Sequence, residues 1–145
     1  YYMQGTKLET IALENGITLS WDEFAKGTFI EHNGIYCTEI GKGYATGEIV
    51  IKKELLNPAG IVHGGVIVTL ADTVAIIGCG YLYEAINITT VSISVSFVKA
   101  AVSGTVVAKA KVVSKGNNLS VWQVDTYNED NELIAVVTVT FAIKK

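Results

Sequence analysis

The fold of this chain is decided around one stretch, the nine residues NPAGIVHGG at positions 57–65. A turn with the only proline leads to His63 and a glycine pair, and the longest apolar run of the sequence follows at residues 66–82. One carboxylate, Asp72, lies in the middle of that run. Burying an unpaired carboxylate costs free energy, so we expect Asp72 to be protonated, to have hydrogen-bonding partners or to act as a catalytic group.

The composition predicts a single domain over residues 1–145 with a sizeable core. Half of the residues are hydrophobic and only 17% are charged. The net charge is -3 and no basic stripe is present, so a nucleic-acid partner is disfavoured. Cys37 and Cys79 lack the spacing of a metal site or of a disulfide framework, so neither is expected.

Residues 64–82 are about long enough to cross a bilayer. We reject that interpretation because Asp72 lies mid-run and no Lys or Arg flanks the run closely. A helix that is apolar on all sides can equally be buried inside a soluble protein. Residues 1–8 lack the basic and apolar regions of a signal peptide, so we expect a cytoplasmic protein with no membrane partner.

The N-terminal part, residues 6–27, is predicted to be helical. Ser20 is expected to cap a second short helix there, with Glu23 completing a capping box. Trp21 and Phe24 are expected to pack on the edge of the domain, with a lid over a ligand as the alternative. Strands are predicted at residues 30–40 and 44–53, ahead of the apolar helix.

After the helix, alternation of apolar and polar residues predicts an antiparallel meander of four strands. The turn positions place Trp122 opposite Val112 and Val139, and they place Phe97 opposite Val106. The predicted order is strand, strand, helix and four strands. A helix that is apolar on nearly all sides needs a sheet curled around it, so we predict an α+β fold in which an antiparallel sheet wraps the central helix.

The segment His63-Gly64-Gly65 lies where a loop becomes this helix. A helix N-terminus exposes unpaired N–H groups and a partial positive charge, and it can stabilise an oxyanion. The glycines would let a ligand approach the backbone closely. An equally weighted alternative is that they only permit close helix–strand packing. His63 by itself is more often a structural histidine.

Asp72 could form a buried polar cluster with Thr69 and Thr73, or it could act as a general base or nucleophile. It lies eight residues beyond Gly64, about 12 Å along a helix. One helix cannot easily bring both residues to one bond, whereas an antiparallel second copy could place its Asp72 beside Gly64. We therefore predict a site that is shared by two subunits of a symmetric dimer.

Two further polar residues have favoured structural roles. Asn57 is expected to form the turn before Pro58, and Thr90 is expected to be an ordinary strand threonine. Their alternative roles are to donate an amide to a water or carbonyl and to orient a water. Cys79 is a poor nucleophile candidate because no polar activator lies near it in sequence.

Asn57, the His63-Gly64-Gly65 segment and Asp72 together resemble the hotdog-fold acyl-CoA thioesterases, most closely the phenylacetate-pathway type. The similarity extends over roughly residues 30–141. It implies that the Gly64 N–H polarises the thioester carbonyl of an aryl- or fatty-acyl-CoA. Asp72 of the partner subunit then activates water or attacks directly, Asn57 and His63 hold the water, thioester or thiolate, and Thr90 orients the carboxylate or water.

The resemblance also implies a homodimer with a continuous sheet, often doubled to a tetramer. It implies no metal and no cofactor, since coenzyme A is part of the substrate. Coenzyme A contacts are expected at Gly65, Lys99, Lys115, Gly116 and Asn117. The chain departs from the family at two of these places, with Lys99-Ala100 where Arg-Pro is frequent and Asn117-Asn118 where a basic residue is frequent.

Two other functions compete with a thioesterase. A hotdog dehydratase or hydratase is disfavoured because four residues separate Asn57-Pro58 from His63. A non-catalytic acyl-CoA-binding module would hold the same ligand without chemistry at Asp72. That module is disfavoured because the chain has no room for a DNA-binding domain and no basic patch.

Overall fold

In a computed structural model, six strands form one antiparallel sheet that curls around a single long helix. The structure describes residues 10–12, 18–84 and 87–144. The helices are α1 Trp21–Ala25, α2 Phe29–Asn33 and α3 Gly64–Tyr83, with a 3-10 turn at Lys53–Leu55. The strands are β1 Thr10–Ala12, β2 Thr18–Ser20, β3 Tyr36–Gly41, β4 Tyr44–Val50, β5 Ile88–Phe97, β6 Thr105–Lys115, β7 Leu119–Tyr127 and β8 Leu133–Ile143.

The apolar run forms the 20-residue helix α3, which confirms the predicted architecture. By length and composition α3 could cross a membrane, but 56% of its most apolar window is buried inside the fold. The helix packs against all six strands of the large sheet. Leu70, Ala71, Val74 and Ala75 are fully enclosed, which explains why the sequence shows no polar face.

Two glycines let α3 and the sheet approach closely. A Cβ on Gly47 of β4 would lie 2.5 Å from the Val74 side chain. A Cβ on Gly78 of α3 would lie 2.9 Å from the ring of Trp122, which is fully buried on β7. Such distances do not occur between real side chains, so only glycine fits at these two contacts.

The strand order in the large sheet is β3-β4-β6-β7-β8-β5. The predicted pairs Trp122 with Val112 and Trp122 with Val139 are both confirmed. The predicted pairing of Phe97 with Val106 is wrong, because β5 pairs with β8 and Phe97 lies opposite Ala135. Both partners offer an apolar face, so alternation could not distinguish them. The misplaced strand, β5, is instead an edge of the sheet.

The predicted helix over residues 6–27 is wrong at residues 10–12 and 18–20, which form the hairpin β1–β2. Thr and Ile favour strands, and the apolar residues that recur at helical spacing in this part of the sequence are few. The capped second helix is confirmed, since Glu23 N–H donates to Ser20 Oγ at 3.0 Å. The proposed end of the first helix at residues 15–16 lies outside the described residues.

Two strand boundaries also differ from prediction. The strand predicted over residues 30–40 begins only at Tyr36, because residues 29–33 form α2. Gly34, at φ 74°, ends that helix in the left-handed conformation that glycine adopts most readily. The strand predicted to reach residue 53 ends at Val50.

Trp21 and Phe24 pack on the domain edge, as the favoured interpretation predicted. Trp21 is buried in a small cluster with Ala25, Cys37 and Ile77. The Phe24 ring lies 5.4 Å from the Trp21 ring. These aromatic residues therefore join the N-terminal segment to the core.

The Gly78–Trp122 contact yields a stability prediction. Gly78→Ala adds a methyl group against Trp122, and we expect this overpacking to lower the free energy of unfolding by about 1–3 kcal/mol, although alanine is the better helix former. Urea unfolding measures the change. In the double variant with Trp122→Phe, part of the loss should be recovered relative to the sum of the single variants. Strict additivity would contradict the close contact.

Candidate active site

The N-terminus of α3 presents one backbone donor that the fold leaves unused. His63 is the N-cap, and its Nδ1 accepts the Gly65 N–H at 2.8 Å. The His63 carbonyl accepts the Val66 N–H at 2.9 Å. Within the described part of the chain, no acceptor is bonded to the Gly64 N–H. His63 therefore has a structural role, and Gly64 retains a donor at the positive end of the helix dipole.

The turn before α3 is held by Asn57, as predicted. Its Oδ1 accepts the N–H groups of Ala59 at 2.9 Å and Ile61 at 3.3 Å. Its backbone N–H also donates to the Ile61 carbonyl at 2.8 Å. The turn uses the amide oxygen, while Nδ2 has no acceptor among the described residues. Asn57 thus builds the turn and keeps one polar donor beside it.

Asn57 and Gly64 line the same cavity, of about 430 Å³. We call this the Gly64 cavity. Its walls include Ile67, Phe97 and Lys99. Phe97 ends β5 with its ring against the Gly64 backbone, because a Cβ on Gly64 would lie 2.9 Å from that ring. A carbonyl group bound there would meet a helix N-terminal N–H on an apolar wall.

Asp72 lies elsewhere, two turns along α3. The Thr90 hydroxyl donates to Asp72 Oδ1 at 2.7 Å within the same chain. The alternative cluster is not formed, because the Thr73 hydroxyl donates instead to the Thr69 carbonyl at 2.7 Å. Asp72 is half-buried, and its second carboxylate oxygen accepts no hydrogen bond from the described residues.

Thr90 reaches Asp72 because β5 contains an irregularity. Strict alternation from Ile93 points Thr90 away from the helix. The register with β8 shifts between Thr90 and Ser92, so Thr90 lies opposite the buried Phe141. One extra residue in a strand reverses the side on which the following side chains point. The bulge therefore places the hydroxyl on the helix-facing side of the sheet.

The structure does not bring Asp72 and Gly64 to one place. They are eight residues apart on one continuous helix, a rise of about 12 Å. Asp72 is not among the residues that line the Gly64 cavity. One protomer therefore carries two separated candidate half-sites, a backbone N–H donor at Gly64 and a carboxylate at Asp72.

The residues expected to contact coenzyme A fall into two groups. Lys99 lies on the Gly64 cavity and forms an exposed ion pair with Glu132. The hydrogen bond from Lys99 lowers the pKa of the Glu132 carboxyl.

Lys115 lies far from the Gly64 cavity, with its Nζ 5.3 Å from the Tyr83 ring centroid at the C-terminal end of α3. Gly116 accepts the Tyr83 hydroxyl at 2.8 Å, and Asn117 is exposed beside it. The Gly65 N–H is already bonded to His63.

The cysteines do not provide a nucleophile. Cys37 and Cys79 are free and fully buried. Burial raises the pKa of each thiol to about 11, so both are protonated at neutral pH. Among the described residues, no group of three His, Cys, Asp or Glu side chains could hold a metal ion.

Sequence reasoning missed the part played by Phe97. The contact of the Phe97 ring with Gly64 joins residues 33 positions apart in the chain, and Phe97 lies on the edge strand β5. No local pattern carries that contact, because it depends on β5 pairing with β8.

Comparisons with known proteins agree with this geometry. Residues 59–135, more than half of the chain, match the Thioesterase superfamily. The chain is 29% identical over 113 residues to the 1,4-dihydroxy-2-naphthoyl-CoA hydrolase of Listeria monocytogenes, covering 77% of this chain and 92% of the relative.

Two solved structures share the fold. A thioesterase from Haemophilus influenzae has a TM-score of 0.80 at 23% identity, with 97% of this chain and 92% of that chain covered. The PaaI protein from the phenylacetic acid degradation operon of E. coli has a TM-score of 0.78 at 20% identity, with 84% and 88% covered. This chain therefore belongs to the Thioesterase superfamily, has the hotdog fold and is a hydrolase that acts on thioesters.

Proposed function

We propose that the substrate is an acyl-coenzyme A and that its thioester carbonyl binds at Gly64. The observation that carries the proposal is the unused N–H of Gly64, the first residue of a 20-residue helix, which lines a cavity. Asn57 Nδ2 is a second donor on that cavity. Support for coenzyme A comes from the Listeria relative, which is named for a coenzyme A thioester.

The chemistry follows from charge development. Attack on the carbonyl carbon moves an electron pair onto the carbonyl oxygen, and the Gly64 N–H stabilises the resulting negative charge. Asp72 either removes a proton from the attacking water or attacks directly, forming an anhydride that water then opens. In both routes a carbon–oxygen bond forms, the carbon–sulfur bond breaks and the thiolate takes up a proton. The products are a free acid and coenzyme A.

A homodimer through β5 would join the two half-sites. β5 is an edge strand, and exposed apolar residues Val91, Ile93 and Phe97 lie along it. Antiparallel pairing of β5 with its own copy near Ile93 and Ser94 would place Thr90 opposite Phe97 of the partner subunit. Because Thr90 holds Asp72 and Phe97 lies on Gly64, each carboxylate would then face an oxyanion donor on the other chain.

Further assembly belongs to the same proposal. Ser92, Ser94 and Ser96 of β5 are small and exposed on the outer face of the sheet, which supports packing of one dimer on another as a tetramer. Lys99 would meet a coenzyme A phosphate by exchanging its exposed partner Glu132, since such surface pairs are weak. We also propose a cytoplasmic location, where coenzyme A thioesters are metabolised.

The role of Gly64 is tested by a matched pair of variants. Gly64→Pro removes the N–H, and proline is tolerated at the first position of a helix. Its preceding residue, His63, already has the extended ψ of 133° that precedes proline. Gly64→Ala adds a similar Cβ against Phe97 but keeps the N–H.

The two variants are compared in a thiol-release assay on aryl- and fatty-acyl-CoA esters. We expect kcat to fall at least about 100-fold more in Gly64→Pro than in Gly64→Ala. Equal rates in the two variants would refute an oxyanion role.

The role of Asp72 is tested in the same assay. Asp72→Ala should lower kcat at least about 100-fold, the scale of a lost general base. Thr90→Val removes the hydroxyl that positions Asp72, and we expect about a tenfold loss in kcat with KM unchanged. Thr90→Ser should recover the rate. Undiminished turnover by Asp72→Ala would make the carboxylate structural, and no turnover by the wild type would favour the binding module.

The shared site is tested by subunit mixing. Asp72→Ala and Gly64→Pro are each expected to be inactive alone. After the two variants are unfolded and refolded together, half of the dimers are mixed, and each mixed dimer has one intact site if the site is shared. We therefore expect about a quarter of the wild-type activity to return. If each site lies within one chain, both sites of a mixed dimer are defective and no activity returns.

A further inference from the structure

A second cavity, of about 310 Å³, lies on the other side of the α3 N-terminus. We call this the Val66 cavity. Its walls come from α2, β4, the 3-10 turn and the first turns of α3. Most of the lining side chains are apolar, namely Phe29, Ile35, Ile49, Leu55, Leu56 and Val66, and Asn33, Glu54, His63 and Thr69 add polar groups. Ile35, Ile49 and Leu55 are each at most 5% exposed, so the inner wall belongs to the packed core.

This cavity begins beside the reacting position. His63 and Gly65 line it, and Gly64 between them lines the first cavity. Residues 63–65 therefore separate two spaces. A thioester whose carbonyl oxygen reaches the Gly64 N–H can extend its acyl chain into one space and its sulfur-linked arm into the other.

The residues that line the two cavities indicate which one binds the acyl chain and which one binds the coenzyme A arm. None of the residues lining the Val66 cavity is Lys or Arg, and Glu54 on its wall repels phosphate. Lys99 lines the Gly64 cavity and offers a positive charge. Both cavities have apolar side chains on which a hydrocarbon gains about 0.8 kcal/mol for each buried methylene. The charge of Lys99 therefore decides the assignment: the phosphate-bearing arm belongs in the Gly64 cavity, and the Val66 cavity is left for the acyl group.

The cavity also follows the Asp72 face of the helix. Gly65 and Thr69 line it, and Asp72 lies seven residues after Gly65 and three after Thr69. Positions i, i+4 and i+7 lie on one side of an α-helix. The wall of the Val66 cavity therefore continues along the helix towards this chain's own Asp72, which in the proposed dimer serves the other site.

We propose that the Val66 cavity binds the acyl group of the substrate and that Phe29 of α2 forms its outer wall. This inference rests on the proposed thioesterase function. At about 30 Å³ per water-sized group, the cavity holds roughly ten non-hydrogen atoms. The substrate class is therefore a short- or medium-chain acyl-CoA or a single-ring aryl-acyl-CoA, and carbons beyond about the eighth gain no further contact with the cavity.

The test compares the ratio of kcat/KM for octanoyl-CoA to that for acetyl-CoA. In the wild type we expect kcat/KM to rise about fourfold per methylene up to roughly eight carbons and then to level off. Val66→Phe fills the cavity and should lower the octanoyl-to-acetyl ratio at least about fiftyfold. The matched variant Ile61→Phe fills the Gly64 cavity and should leave that ratio unchanged, because it acts on the arm common to all substrates.

A second variant covers the case in which Val66→Phe does not fold. Phe29 is 64% exposed, so Phe29→Ala leaves the core intact. It should lower the octanoyl-to-acetyl ratio at least about threefold through lost apolar contact. Tyr44→Ala, at an exposed aromatic residue outside both cavities, should not change the ratio.

The possible results separate this proposal from the proposed function. An active wild type whose chain-length ratio is the same in Phe29→Ala, and in Val66→Phe where that variant folds, overturns the acyl pocket and leaves the thioesterase function standing. A wild type that hydrolyses none of the esters overturns both.

Discussion

The enclosure of α3 by the sheet is the constraint on which the rest of this structure depends. The helix is apolar on nearly every side, so it must be covered by the strands around it. The covering is tight enough that glycine is required where β4 and β7 approach the helix, at Gly47 and Gly78. A helix held this way is rigid, and its two chemical features, Gly64 and Asp72, keep a fixed separation.

The loop before α3 is held in place by hydrogen bonds of Asn57 and His63, which fix the position of Gly64. Asn57 closes the turn with its amide oxygen, and His63 uses its ring nitrogen and its carbonyl to satisfy the next two backbone donors. The Gly64 N–H is the donor left over. Asn57 and His63, which resemble catalytic groups in sequence, thus have structural hydrogen bonds, and those bonds leave the Gly64 N–H as the donor to which we assign the carbonyl.

The edge strand β5 links the two half-sites in another way. Its bulge turns Thr90 towards Asp72, and its last residue, Phe97, lies against Gly64. Each candidate half-site is therefore joined to one end of the same edge strand. In the proposed dimer, a second copy that pairs with this edge would bring each carboxylate to the Gly64 N–H of the other chain.

The sequence by itself determined the central helix, its glycine-marked start, the turn at Asn57 and the registers of β6, β7 and β8, because these depend on local periodicity and capping. It also determined that Gly64 and Asp72 cannot share one bond within a chain, since helix rise is fixed. Only the tertiary structure decided that β5 pairs with β8, that Thr90 reaches Asp72, that residues 29–33 are helical and that two cavities flank residues 63–65. Strand choice, a bulge and a cavity depend on contacts between distant residues, and several partners satisfy the same alternation of apolar and polar side chains equally well.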